Sequence, residues 1–516
     1  MGMPVFSRSS PTATLTPAQD RSYDHLAGVR NQRIRRTAKL RLRRNACIEG
    51  SDRGAVPLLT GRHRSAAVTP VITHFRPQMW TRARGDTMKG RSYLYTGAGA
   101  LAVAALGLSV SLTQADSPRG ARVPSYAVDG SWPKMPLPSA GDWGTPLVVS
   151  TATGKPKPWS TGEVAGTCVD SRDHVFIVTR GNLVNSPETL DSVPAAPVIE
   201  FNPAGDVVNA WGNRNVLPNG IHGCFIDYQD NIWIAGNGDG IVQKYSHDGK
   251  KLLLQIGTRG KCDWPANNNA CGNSGSDLSA NQSKTLLNEP ANVYIDPEPD
   301  PVTGRRGSIY IADGYGNHRV VVFQDNGNGT ATWLRQWGGV AGTVNVVTDS
   351  PGLFASGDGG HPHCVVGGND HFLYVCDRAD DRIQVFDKLG NLQRIIPVVP
   401  GTGLTLGIGG APGLGTAGSA WDVAFSNDRA QALMFEADGG NEIVHIMDRV
   451  MGTIRSGFGT PGLQAGQFTF LHSVAKDSKG NLYTGETING RRVQKFVRAD
   501  CDDDRRGNGR GKGDCD

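Results

Sequence analysis

The sequence predicts an all-β fold, a six-bladed β-propeller with a metal-binding channel along its axis, and three observations lead there. A histidine-headed pattern recurs as Gly-Ile-His222-Gly-Cys-Phe-Ile-Asp, Pro-His363-Cys-Val-Val-Gly-Gly and Leu-His472-Ser-Val-Ala-Lys-Asp. In each, the aromatic of the next β-rich run (Trp233, Tyr374, Tyr483) follows the histidine at the same interval of 11 residues. Related units without histidine fill the gaps, with Ala165, Ala291 and Trp421 at the histidine position, giving six units of which the second, fourth and sixth carry His. Self-similarity at roughly 40 to 55 residues per four-stranded unit is the mark of propeller blades around a central channel.

In chain order, residues 1–87 stand apart. They hold 16 Lys/Arg against 5 Asp/Glu and no sustained periodicity. An RNA-binding arm, a transit peptide or translated upstream sequence would each look like this. The next segment favours the last. Met88-Lys89-Gly-Arg91 is a short positive region, Gly97 to Leu112 an apolar run, and Thr113-Gln-Ala115 a small-x-small cleavage site, so 88–115 reads as a secretory signal peptide beginning at Met88. The apolar run is shorter than the ~20 residues of a spanning helix, so no stable membrane span is expected and the working protein is placed outside the cytoplasm.

Residues 116–159 are proline-rich and are expected to wrap the propeller, closing the ring by lending a strand to the last blade. Residues 160–498 hold the six blades. Within a blade, alternating apolar residues, a polar turn such as Asp230-Asn231 or Ser478-Lys479-Gly480-Asn481, and a β-branched and aromatic run form a hairpin. Two further strands complete the blade, as in Ile241–Tyr245, Ile383–Phe386 and Val493–Phe496. Blade three has its turn lengthened from Pro297 to Arg306. Trp211-Gly212, Trp337-Gly-Gly339 and Gly457-Phe-Gly459 mark returns from outer strand to axis. Residues 499–516 are charged and glycine-rich, a disordered tail.

Charge and cysteines bound the function. The prefix contributes +11 and the signal region +2 to a whole-chain net of +5, which leaves −8 for residues 116–516. An acidic exported chain argues against nucleic acid as a partner. Without Cys47, eight cysteines remain, an even number that suits disulfides outside the cell. Cys262 with Cys271 and Cys501 with Cys515 are close enough in sequence to pair; the partners of Cys168, Cys224, Cys364 and Cys376 are left open.

If the first strand of each blade lines the channel, alternate blades place His222, His363 and His472 on a three-fold ring. Three imidazoles converging on one point form a catalytic metal site with an open fourth position, and imidazole selects zinc or another transition metal over calcium. Beyond the second strands, Arg180 and Arg378 each lie four residues past the strand aromatic, and Tyr315 occupies the equivalent stretch of blade three. A zinc polarises a bound oxygen, arginines hold a carboxylate, and a tyrosine beside both can act as a base. The bland alternative is a blade-end salt bridge between Asp377 and Arg378, with Arg319 an ordinary turn residue.

In Leu287-Asn-Glu-Pro290, Tyr310-Ile-Ala-Asp-Gly-Tyr315-Gly-Asn-His-Arg319, Pro362-His363, Val375-Cys-Asp-Arg378-Ala-Asp-Asp-Arg-Ile-Gln-Val-Phe386 and Leu471-His472, the chain resembles the NHL-repeat propeller of peptidyl-α-hydroxyglycine α-amidating lyase. The resemblance covers about residues 160–498. It implies Zn2+ on His222, His363 and His472, Tyr315 as catalytic base, Arg180 and Arg378 orienting the substrate carboxylate, and cleavage of an N-acyl- or peptidyl-α-hydroxyglycine to an amide and glyoxylate. The expected partner is such a small-molecule or peptide substrate, bound by a monomer. The sequence departs from the family at two places: Gly316 replaces a disulfide-forming cysteine, and Ser473 replaces an aspartate that helps hold a structural Ca2+, leaving only backbone carbonyls for that ion. Two other readings compete. A non-catalytic NHL propeller would be an extracytoplasmic binding scaffold, and a calcium-dependent lactonase-type propeller would need converging carboxylates where this chain has imidazoles.

Overall fold

The computed structural model describes residues 122–183, 186–272, 281–339, 350–354, 362–402 and 418–499. The basic prefix, the signal segment and the tail cysteines lie outside them. The described chain forms six four-stranded antiparallel sheets and one short two-stranded ribbon. Blade 1 comprises Val164–Val169, Val175–Thr179, Val198–Phe201 and Val207–Trp211, and blade 2 comprises Ile221–Ile226, Ile232–Gly236, Ile241–Tyr245 and Leu252–Ile256. Blade 3 runs through Asn292–Asp296, Ser308–Asp313, Arg319–Asp325 and Ala331–Gly338, and blade 4 through Cys364–Gly367, Leu373–Asp377, Arg382–Phe386 and Leu392–Pro397. Blade 5 is Asp422–Phe425, Leu433–Asp438, Ile443–Asp448 and Ile454–Phe458. The first strand of each blade touches the first strands of both neighbours, so six inner strands close a ring.

Blade 6 takes Leu471–Lys476, Leu482–Glu486 and Val493–Arg498 from the end of the chain and its outer strand, Tyr126–Val128, from the beginning. Tyr126 pairs with Arg498 and Val128 with Phe496, the closure expected of the proline-rich segment. Each hairpin between the first two strands is set by an aspartate that accepts backbone N–H groups beyond it. Asp227 takes those of Gln229 and Asn231, and Asp477 those of Lys479 and Asn481. This side chain-to-backbone turn is why polar residues at these points bend the chain.

Six apolar clusters fill the six blade–blade interfaces, so both faces of each blade are buried and second strands such as Val175–Thr179 and Ile232–Gly236 read as nearly continuous apolar runs. Phe176, Ile221 and Tyr245 sit between blades 1 and 2; Tyr126, Phe435 and Phe496 belong to the interface of blades 5 and 6. Three disulfides are formed among the described residues. Cys262–Cys271 closes the loop after blade 2, Cys168–Cys224 joins the inner strands of blades 1 and 2, and Cys364–Cys376 joins directly opposed residues of blade 4. These bridges suit an oxidising compartment. No helix among the described residues is long and apolar enough to cross a membrane.

The closing strand makes a stability prediction. Tyr126 packs on Phe458 and Phe435 at 5.0 and 5.7 Å and donates its hydroxyl to the Gly480 carbonyl at 3.1 Å. Tyr126→Ala should lower unfolding free energy by about 2 kcal/mol in urea titrations, the scale of truncating a partly buried aromatic. An unchanged midpoint would mean that the N-terminal strand does not close the ring.

Candidate metal centre

Two of the three histidines reach the axis where the inner strand is bulged, and His363 reaches it from the residue just before its strand, its N–H on the Cys376 carbonyl at 2.8 Å. In blade 6, Leu471 opposes Glu486 and Ser473 opposes Gly485, so His472 is the extra residue; in blade 1 the same bulge falls on Ala165. Blade 2 shifts register between Ile221 and Cys224, around His222. A bulge of this kind re-aims one side chain out of the pleat. The rings of His222, His363 and His472 lie 4.5 to 5.0 Å apart by centroid, each residue is 1 to 4% exposed, and their ligand atoms fall within 4.8 Å of one another.

Each histidine is held by the next unit around the ring. Nδ1 of His222 faces the carbonyl of Ala291 at 2.8 Å, that of His363 the carbonyl of Trp421 at 2.7 Å, and that of His472 the carbonyl of Ala165 at 2.8 Å. A carbonyl only accepts, so Nδ1 carries the proton in all three and the Nε2 lone pair is left for the centre. The residues that replace histidine in the odd-numbered units therefore orient the histidines of the even-numbered ones. Burial pushes His222 and His472 well below the ordinary histidine range, helped at His222 by the two neighbouring histidines and Arg180, and at His472 by Arg180 and Arg378. Three neutral imidazoles presenting Nε2 to one point suit a zinc-like transition metal with a fourth position open.

Tyr315 and Arg378 join this point. The Tyr315 hydroxyl lies 2.9 Å from His222 Nε2 and receives a hydrogen bond from Arg378 Nη1 at 3.3 Å. Tyr315 is pinned by its flanking glycines: a Cβ on Gly314 would meet the Pro362 carbonyl oxygen at 1.9 Å, and one on Gly316 the Asn288 side chain at 2.3 Å. The cysteine expected of the family at 316 could not enter without moving Asn288. The guanidinium of Arg378 stacks on Trp421 at 4.3 Å. Asp377 pairs with Arg382 at 2.8 Å, and Arg319 is a buried structural partner of Asp313 at 2.9 Å.

Arg180 stands at the edge of the centre, its Nε on the Ile221 carbonyl at 3.1 Å and its Nη1 on Glu163. Glu163 is not signalled by the sequence; it lies just before the first inner strand, and only its contacts with Arg180 and Asn182 give it a role. Ser473 bonds Thr167 at 3.2 Å, and the acid lining this stretch of channel is Asp422, in the next blade, whose carboxyl burial pushes up to about 7.

No family model matches the chain. It is 26% identical over 389 residues to the human NHL repeat-containing protein 3, covering 72% of this chain and 84% of that one. It is 25% identical over 241 residues to the rat peptidylglycine alpha-amidating monooxygenase, covering 44% of this chain and 20% of that much longer protein. Among solved structures, a streptogramin B lyase aligns over 66% of this chain and 94% of its own, with a TM-score of 0.38 and 12% identity. The chain is a six-bladed propeller that is similar in sequence to NHL repeat-containing protein 3 and, over less than half of its length, to the α-amidating monooxygenase.

The tautomers are directly testable in metal-free protein. Ring 15N NMR should show His222 and His472 neutral, protonated on Nδ1, at pH values below the ordinary 6.5 where solvent-exposed histidines have charged. Titration of both near that ordinary value would contradict the carbonyl-fixed arrangement.

Proposed function

We propose that this chain is an exported zinc-dependent lyase that cleaves an N-acyl- or peptidyl-α-hydroxyglycine to the amide and glyoxylate. The observation that carries the reading is the meeting of His222, His363 and His472 with the Tyr315 hydroxyl and the Arg378 guanidinium at one buried point. The disulfides Cys168–Cys224, Cys262–Cys271 and Cys364–Cys376 support export. Zinc on the three Nε2 atoms would supply a Lewis acid that makes the substrate hydroxyl easier to deprotonate.

The chain's own residues then do the rest. Arg378, held flat by Trp421, offers its fork to the substrate carboxylate. Arg180 adds positive charge on the other side, tempered by Glu163. Tyr315, acting as the phenolate, receives the hydroxyl proton and passes it on to the departing amide nitrogen. As that O–H electron pair closes the aldehyde C=O of glyoxylate, the C–N bond breaks and the amide nitrogen takes up a proton. No water is consumed and nothing is oxidised, so the site needs to exclude solvent and position two groups rather than activate a second reactant.

Elemental mass spectrometry should find zinc whose content drops by one equivalent in each of His222→Ala, His363→Ala and His472→Ala. Tyr315→Phe should keep that metal and lose on the order of 10²- to 10⁴-fold in glyoxylate release from α-hydroxyhippurate. Arg378→Ala should lose about 10²-fold in kcat/KM, chiefly through KM. A wild-type protein that holds metal in none of these positions, or full activity in Tyr315→Phe, would leave a binding scaffold as the better account.

A further inference from the structure

The blades can be compared position by position, and blade 5 breaks their charge pattern. At the end of the second strand, blades 3, 4 and 6 set a carboxylate against an arginine that opens the third: Asp313 with Arg319, Asp377 with Arg382 and Glu486 with Arg492, at 2.9, 2.8 and 2.7 Å. In blade 5 the acid, Asp438, faces Ile443 instead. Two residues back, where blades 2, 3 and 4 carry Ile234, Ile311 and Val375 and blade 6 carries Thr484, blade 5 carries Glu436, which faces His445. Blade 5 has gained a buried acid and lost its arginine.

Glu436 and Asp438 are fully buried and His445 is 7% exposed. Their ligand atoms lie within 4.8 Å of one another, with His445 Nε2 3.2 Å from Asp438 Oδ2. Glu436 Oε1 accepts the Trp421 N–H at 3.4 Å, while Oε2, equally buried, has no hydrogen-bond partner among the described residues. The surroundings add negative charge: Asp381 and Asp422 both act on Glu436. Asp438 is held by the N–H groups of Gly440 and Asn441 and by the Asn441 amide at 2.7 Å, but Glu436 beside it keeps one oxygen unmatched, which is costly in the interior unless a proton or a cation joins it.

We propose that Glu436, Asp438 and His445 bind a second divalent transition-metal ion, distinct from the channel site. Two carboxylates and an imidazole suit Zn2+ or Mn2+ better than Ca2+ or Mg2+. The ion takes the place of the proton shared by His445 Nε2 and Asp438 Oδ2, and Glu436 Oε2 supplies the third donor. Its neighbour is Trp421, whose N–H goes to Glu436 and whose carbonyl accepts from His363 Nδ1, so the ion steadies the residue whose carbonyl orients a channel histidine.

The test is metal stoichiometry on the full chain, stripped and reloaded with Zn2+ or, separately, Mn2+. The variants are His222→Ala, Glu436→Gln, His445→Asn and the double variant H222A/E436Q, each checked for folding by urea unfolding. The wild type should hold two ions, H222A and E436Q one each, and the double variant none. Zn2+ should raise the melting temperature of H222A but not of H222A/E436Q. A wild type whose metal is lost entirely in H222A, or an E436Q and H445N that keep wild-type stoichiometry, overturns the proposal. Metal retained in H222A but absent in E436Q would sustain this site and count against the channel site instead. Should E436Q fail to fold, H445N carries the same readout.

Discussion

Everything at the axis depends on one contact, an imidazole N–H given to the carbonyl of the next blade. Six inner strands meeting around one line bring each axial residue close to its neighbour's backbone, and a buried ring nitrogen there must find an acceptor. Alternation solves the problem. Were all six positions histidine, each ring would still find a carbonyl, but six imidazoles would crowd a space that three already fill at 4.5 to 5.0 Å between centroids. With three, each has a donor fixed outward and a lone pair fixed inward.

The same geometry explains how charge is managed at the blade ends. Arg319 is wholly buried, and Asp313, Gln336 and the carbonyls of Ser283 and Leu286 take its donors. Such a network costs as much in desolvation as it returns in attraction, and its main effect is to lock the turn after the second strand. In blade 3 that turn carries Tyr315; in blade 4 the equivalent pair, Asp377 with Arg382, leaves Arg378 to the Trp421 ring and Tyr315. Salt bridges that look structural therefore set where the two residues of the centre point.

The blades and the axial positions were legible in the sequence because repetition reports them: a residue at one phase of each unit lands at one height in the ring. The closing strand was legible from the proline-rich segment that precedes the first blade. The hidden features have no repeat behind them. Glu163 lies before the first unit and matters only because Arg180 folds back over it. The Cys168–Cys224 bridge joins two residues 56 apart, at different places in their own units, and depends on two inner strands lying side by side. The acceptor carbonyls of Ala165, Ala291 and Trp421 could not be read at all, since any residue supplies one.

The freedom of those three acceptor residues bears on why their side chains differ. A backbone carbonyl leaves its side chain unconstrained, so the histidine network places no demand on the side chain at 165, 291 or 421. Ala165 and Ala291 use the freedom to leave room. Trp421 uses it to fill one side of the centre, its indole within reach of both His363 and His472 and under Arg378. The indole fits because residue 439 is glycine; a Cβ there would meet the ring at 2.7 Å and the Leu471 carbonyl oxygen at 2.2 Å. A ring with three-fold histidines is thereby made one-sided, with an aromatic wall in blade 5 and the phenol of blade 3 across from it. An asymmetric ligand carrying a carboxylate can be held in one orientation only in a channel whose symmetry has been broken in this way.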